Sequence, residues 1–187
     1  VSITTSCAYP DTGMELLKED TFWNGLPNQT IRPHGLAKRM LQAASEAYKT
    51  QHGFNGVTVC VTNLYGPHDT FNLTRTGDPM REFMYVDDAA EAVVQALEKY
   101  NDNSQPLNIG TGKDISIKEL VEYIVGIVKY EGEVEWNTEK PDGQMKKLLD
   151  VTRMNELMEI KPVDIKTGLA STIKWYKKNK EKADAKN

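Results

Sequence analysis

The chain has 187 residues, 39% of them hydrophobic, enough for one ordinary core built as one domain or as a domain with a small lobe. Its 23 basic and 27 acidic residues give a net charge of -4, and the only basic cluster is the C-terminal KWYKKNKEKADAK, so nucleic acid is not an expected partner. Two cysteines do not make a disulfide framework, no apolar run approaches the roughly 20 residues of a membrane span, and VSITTSCAYP lacks a charged segment ahead of a long apolar one; a reducing, cytoplasmic setting without a membrane partner is expected.

Val1 to Thr5 reads as a β-rich strand, followed by a turn at Tyr9-Pro10-Asp11-Thr12-Gly13 and a polar, Gly/Pro-punctuated loop up to residue 34. From Gly35, the residues Leu36, Met40, Leu41, Ala44, Ala47 and Tyr48 recur at helical spacing, with Gly53 as the stop. The next strand, GVTVCVTN, is β-branched almost throughout, which suits burial on both faces. Strand, helix and strand at this spacing predict a βαβ unit of a parallel sheet. NLYGPHDTFN reads as loop, and Asp87 and Asp88 place carboxylates at the positive end of the helix AAEAVVQALEKY. PLNIG is expected as a short strand. Ser116 to Glu119 is a capping box opening ELVEYIVGIVKY. EVEW is expected as a strand and TRMNEL as a short helix, and Ile165, Leu169, Ile173 and Tyr176 mark a final helix before the lysine tail.

Ligands of open α/β sheets bind beyond the carboxyl ends of the strands, which directs attention to TTSC and TNLYGPHD. Thr4, Thr5, Ser6 and Cys7 gather hydroxyls and a thiol at one strand end; taken alone, they are better explained by hydroxyls satisfying local backbone and by Cys7 as a small buried hydrophobe. Lys38 follows His34 by four residues, so in a helix the two share a face and can act on one bound group. Arg81 and Lys147 are candidate anion ligands, the guanidinium by its bidentate fork, against the commoner role of surface ion pairing. His68 reads as an ordinary loop histidine. No G-x-G-x-x-G or G-x-x-G-x-x-G loop occurs in the sequence, although a parallel sheet that holds a dinucleotide uses one for the pyrophosphate.

Taken in order, TTSCAYP, PHGLAKRM, TNLYGPHDTF, TGDPMREFMYVDDAAEAV, LNIGTGKDISIKELVE, KPDGQMKKLLDVTRM and GLASTIKWY resemble the GDP-L-fucose synthase family, extended short-chain dehydrogenases/reductases of the sugar epimerase/dehydratase group. The resemblance implies an α/β fold: residues 1–72 as the C-terminal part of a Rossmann-type, NAD(P)-binding parallel sheet, and residues 73–187 as a smaller, mixed α/β, mainly substrate-binding lobe. It implies an NADP(H)-dependent enzyme that epimerises GDP-4-keto-6-deoxy-mannose at C3 and C5 and then reduces C4 by hydride transfer. Carried over residue by residue, Thr5 matches the hydroxyl that bonds the substrate carbonyl, and Cys7 an acid/base of epimerisation. Lys38 matches the active-site lysine, and His34 stands where the family has its proton-donating tyrosine. Thr5, Lys38, Asn63, Leu64 and Tyr65 fall beside the nicotinamide, and Arg81 and Lys147 fall on the GDP-sugar.

Relatives of this kind also carry a glycine-rich Rossmann unit before the first strand, and a longer segment near Asn72-Leu73. The sequence is therefore expected to be ordered pieces of a longer chain. A homodimer through the helix bearing Met40, Ala44, Ala47 and Tyr48 is a further expectation. A neighbouring NAD-dependent sugar epimerase or dehydratase, and a catalytically impaired nucleotide-sugar-binding relative with His34 for tyrosine, are the alternatives.

Overall fold

A computed structural model of the chain describes residues 1–13, 16–67, 76–102, 104–136 and 144–184. His68, the Asn72-Leu73 junction and the KPDG stretch of KPDGQMKK lie outside the described residues. The elements run β1 (Ser2–Thr5), β2 (Leu16–Leu17), α1 (Arg32–His52), β3 (Thr58–Val61), β4 (Asn63–Tyr65), β5 (Met80–Tyr85) and α2 (Val86–Lys99). They continue with β6 (Leu107–Ile109), β7 (Asp114–Ser116), α3 (Ile117–Val128), β8 (Lys146–Leu149), α4 (Thr152–Leu157) and α5 (Ile165–Asp184).

Two sheets result. The first is parallel with order β1-β3-β6, and its β1-α1-β3 crossover is the expected βαβ unit. All four residues of β3 are buried, as a strand covered on both faces must be. The second sheet is mixed, with order β2-β8-β5-β4 parallel and β7 antiparallel to β5. The α/β fold, a Rossmann-type parallel sheet with a mixed α/β part, is thereby borne out.

Helix ends follow their caps. Gly53 ends α1 at φ +67, where a side chain would be strained, and its N–H reaches the Lys49 carbonyl. Ser116 Oγ accepts the Glu119 N–H at 3.0 Å, as the capping box predicts. On α2, Ala89, Ala92 and Ala96 are buried, and small side chains at that spacing let the helix lie close on β3 and β6, over Val59, Val61, Leu107 and Ile109. A second core of Tyr65, Phe83, Leu120 and Leu169 joins β4 and β5 to α3 and α5.

Several expectations need correction. EVEW, residues 133–136, has no strand: its alternation of acid and apolar residues has no ladder to join among the described residues. Helix α1 starts at Arg32, because Pro33 is compatible with a first turn, which puts His34 inside the helix. The loop between Gly13 and His34 holds β2 and two 3-10 turns. NLY, MREFMY, DIS and KKLL are strands that composition hides, and α5 runs on through most of the lysine tail with a break at Asn179 (φ -122, ψ 20).

Two buried polar groups tie the layers together. Asn108 on β6 is fully buried: its Oδ1 accepts the Tyr9 hydroxyl at 2.8 Å, and its Nδ2 donates to the carbonyls of Leu17 and Asp150 at 2.9 and 3.0 Å. Its backbone N–H donates to Glu19 Oε1 at 3.2 Å. Glu82 on β5, also 0% exposed, accepts the N–H groups of Thr111 and Gly112 at Oε1 (2.6 and 2.7 Å) and that of Leu149 at Oε2 (3.1 Å). Its backbone carbonyl accepts from Thr62 Oγ1 (3.1 Å) and Asn63 Nδ2 (2.8 Å). A Cβ on Gly110 would come 2.3 Å from that carboxylate, so only glycine allows this approach.

Burial holds the Glu19 carboxyl above its ordinary value; the Asn108 N–H and the charge of Arg153 offset this only in part. A carboxyl raised in the fold binds more protons folded than unfolded, so its contribution is fully present below the unfolded value of about 4.3 and is lost as pH climbs through the folded value. The urea midpoint of the wild type should therefore fall more steeply from about pH 4.3 toward neutrality than that of Glu19→Gln. Parallel profiles for the two proteins would contradict this.

Candidate functional site

The carboxyl end of β1 opens into a 3-10 turn, Ser6–Ala8. Thr5 caps that turn, its Oγ1 accepting the Cys7 N–H at 3.3 Å, and Thr4 Oγ1 donates to the Lys38 carbonyl at 3.3 Å. The hydroxyls thus do satisfy local backbone. Yet an Oγ1 that accepts from Cys7 keeps its own proton to donate. Cys7 is half-buried, unlike the fully buried Cys60, whose thiol is pushed well up by burial. Lys147 on β8, 140 residues further along, donates from Nζ to Cys7 Sγ at 3.3 Å.

Helix α1 lies directly over this turn. A Cβ on Gly35 would stand 2.7 Å from the Cys7 carbonyl and 2.8 Å from Pro27 Cβ, so the helix and the turn touch through backbone. Arg39, buried, fixes the same junction: its Nε donates to the Ala8 carbonyl at 2.7 Å and its Nη1 to Gly25 at 2.6 Å. Its guanidinium packs over Phe22 and Trp23 with ring centroids at 5.4 and 5.6 Å. Burial lowers the Arg39 pKa, but from a value so high that the group stays charged. With α1 held so, His34 is exposed on its first turn, and Lys38, one turn on, sends Nζ to the Ile3 carbonyl of β1 at 3.2 Å.

Arg81 and Lys147 are register partners across the β5–β8 ladder. Arg81 Nη2 donates to the Gln144 carbonyl at 2.7 Å and Nη1 to its neighbour Met80 at 2.7 Å. Gln144 in turn donates to Asp11 at 2.8 Å, on the loop that follows the Cys7 turn. The structure therefore joins Thr5, Cys7, Lys147 and Arg81 in one run of contacts, with His34 and Lys38 on the helix above it. Asn63 is exposed at the start of β4, Leu64 packs on the α2 core, and Tyr65 is 2% exposed, with a hydroxyl that has no partner among the described residues. A cleft of about 280 Å³ is lined by Phe83, Thr111, Lys113, Ile115 and Pro162 to Ile165, and its lining does not include Thr5, Cys7, His34, Lys38, Arg81 or Lys147.

Gly35, Arg39 and Glu82 escaped the sequence-based expectations. Once β5 is known as a strand, alternation puts Glu82 on one face with Met80 and Met84, where a carboxylate has to be buried with donors, but the sequence does not announce that strand.

Replacing Gly35 with alanine should force the helix off the Cys7 turn, at a cost of about 1–3 kcal/mol in urea unfolding. An unchanged midpoint would show that the contact is not tight.

A family model described as the NAD dependent epimerase/dehydratase family matches residues 1–110. The chain is 34% identical over 212 aligned residues to GDP-L-fucose synthase of Escherichia coli, covering 95% of this chain and 66% of that protein. It is 33% identical to a probable GDP-L-fucose synthase 1 of Oryza sativa subsp. japonica, with 94% and 61% covered. Among solved structures it superposes with TM-score 0.88 on a GDP-L-fucose synthetase from Naegleria fowleri bound to NADP, at 23% identity, covering 96% of this chain and 66% of that one. The chain thus spans no more than about two thirds of the length of the relatives it matches.

Proposed function

We propose that this chain, which belongs to the NAD dependent epimerase/dehydratase family, works as a nucleotide-sugar epimerase and reductase of the GDP-L-fucose synthase type. Its substrate is GDP-4-keto-6-deoxy-D-mannose, epimerised at C3 and C5 and reduced at C4. Residues 1–72 face the cofactor and residues 73–187 mainly the nucleotide sugar. The observation that carries this reading is the 3.3 Å contact of Lys147 with Cys7, because it sets a thiol able to move protons beside a cation able to hold a diphosphate.

The roles are those the family resemblance implies, and local geometry supports them. Arg81 and Lys147, neighbours across the ladder, take the diphosphate oxygens. The Thr5 hydroxyl donates to the C4 carbonyl oxygen, polarising it and making the C3 and C5 protons easier to remove. Cys7 Sγ serves as the acid/base on one face of the ring, one of the two that inversion needs, and the Lys147 ammonium orients it. NADP(H), when bound, supplies the hydride for C4. The residues present fit its nicotinamide end, where Thr5, Lys38 and the exposed Asn63 bring a hydroxyl, an ammonium and a carboxamide to the carboxyl ends of the parallel strands. His34 gives the proton to the reduced oxygen; Lys38 shares its helix face.

His34 also favours the second reading, a nucleotide-sugar-binding relative with little turnover, since an imidazole is shorter than the phenol it replaces. We assign the protein to the cytoplasm, and to a homodimer packed through α1, where Met40 and Tyr48 are 63% and 58% exposed. A monomer at micromolar concentration in sedimentation would contradict the dimer.

Calorimetric titration with GDP should show saturable binding that weakens about tenfold or more in Lys147→Ala, the scale of one charge-assisted contact. Absence of binding at millimolar GDP would overturn the proposal. Product analysis on GDP-4-keto-6-deoxy-mannose separates this activity from that of a related sugar epimerase or dehydratase. His34→Tyr should raise substrate-dependent NADPH oxidation by about 10²-fold, the contribution of a well-placed proton donor. Equal rates would remove His34 from the proton path.

A further inference from the structure

The β5–β8 ladder consists of two residue pairs, Met80–Lys146 and Arg81–Lys147, which is short for a register on which two candidate substrate cations depend. Beyond the second pair the next connection is made by a side chain: Glu82 Oε2 accepts the N–H of Leu149, two residues past Lys147. The carboxylate itself has no freedom to swing. Oε1 is pinned by the Thr111 and Gly112 N–H groups, Gly110 leaves no gap beside it, and the Glu82 carbonyl is held by Thr62 and Asn63.

We propose that Glu82 is a positioning residue: its two-armed carboxylate sets the height of β8 against β5, and with it the placement of Lys147 beside Arg81 and Cys7 for a nucleoside diphosphate. The inference rests on the reading that Arg81 and Lys147 bind such a group. Glu82 is 0% exposed, and its effect on the site runs through Leu149 and Arg81. The two arms separate chemically. A glutamine keeps a carbonyl oxygen for Thr111 and Gly112 but turns an NH2 toward the Leu149 N–H, donor against donor, so the loop stays and β8 is released.

The test is a double-mutant cycle on GDP affinity, with Glu82→Gln and Lys147→Ala alone and together. Far-UV circular dichroism and a cooperative melt establish that each variant is folded at the titration temperature. Glu82→Gln should weaken GDP binding about tenfold in the wild-type background and less than twofold in the Lys147→Ala background. Equal factors in both backgrounds, or an unchanged Kd in the folded glutamine variant, would overturn the proposal.

If glutamine unfolds the chain, Glu82→Asp serves instead, because one methylene less cannot span both arms. Should the wild type bind no GDP, the functional reading fails, and the same cycle is read on the rate of Cys7 alkylation by iodoacetamide. There a change on Glu82→Gln that vanishes in Lys147→Ala supports the positioning role, and one that persists overturns it.

Discussion

The carboxylate of Glu82 extends the short β5–β8 ladder to Leu149 at the end of β8 and joins it to the Gly110-Thr111-Gly112 loop after β6, which belongs to the other sheet. A buried anion carries a large desolvation cost, and burial indeed lifts the Glu82 carboxyl above its ordinary value, while the donors from Gly112, Leu149, Thr111 and Thr62 pull it back. Such a group persists only where its acceptors are filled, so the fold closes around the donors it needs. The consequence reaches both sheets. The parallel sheet supplies the loop donors, the mixed sheet supplies Leu149, and the carboxylate fixes the distance between them.

Around that joint the other buried polar groups act in the same sense. Asn108 links β6 to Tyr9, Leu17 and Asp150, and Arg39 links α1 to Ala8 and Gly25. Both converge on the segment that follows β1. The Cys7 turn is thus held from the helix side by Gly35 and Arg39 and from the strand side by Lys147. A site that has to place a proton carrier against a carbon atom needs this kind of rigid support. The proposed chemistry draws on it directly, since Cys7, Thr5 and Lys147 come from different elements and meet only because these polar joints set their separations.

Much of the fold was legible in local sequence. Helices α1, α2 and α3 carry their own signals, in Gly53, in Asp87 and Asp88, and in Ser116 with Glu119, and these act within one turn of chain. Strands β5, β7 and β8 were not legible, because MREFMY, DIS and KKLL owe their extended state to partners far away in sequence. EVEW shows the converse: a period-2 pattern without a partner among the described residues does not make a strand. Of the candidate site, Thr5, Cys7, Lys38, Arg81 and Lys147 were visible as candidates from their residue types and places in the chain, but their roles were reached through family resemblance. The contact of Cys7 with Lys147 spans 140 residues, and Gly35 and Glu82 matter for what they approach, which only the folded chain defines.

The thiol of Cys7 and the cations of β5 and β8 are proposed to form one nucleotide-sugar site. This joint site is tested most directly by the alkylation rate of Cys7 with iodoacetamide, with and without saturating GDP; Cys60, at 0% exposure, does not compete in the folded protein. GDP should slow modification of Cys7 several-fold, and this protection should disappear in Lys147→Ala. Equal rates with and without bound GDP would place the nucleotide elsewhere and contradict the joint site.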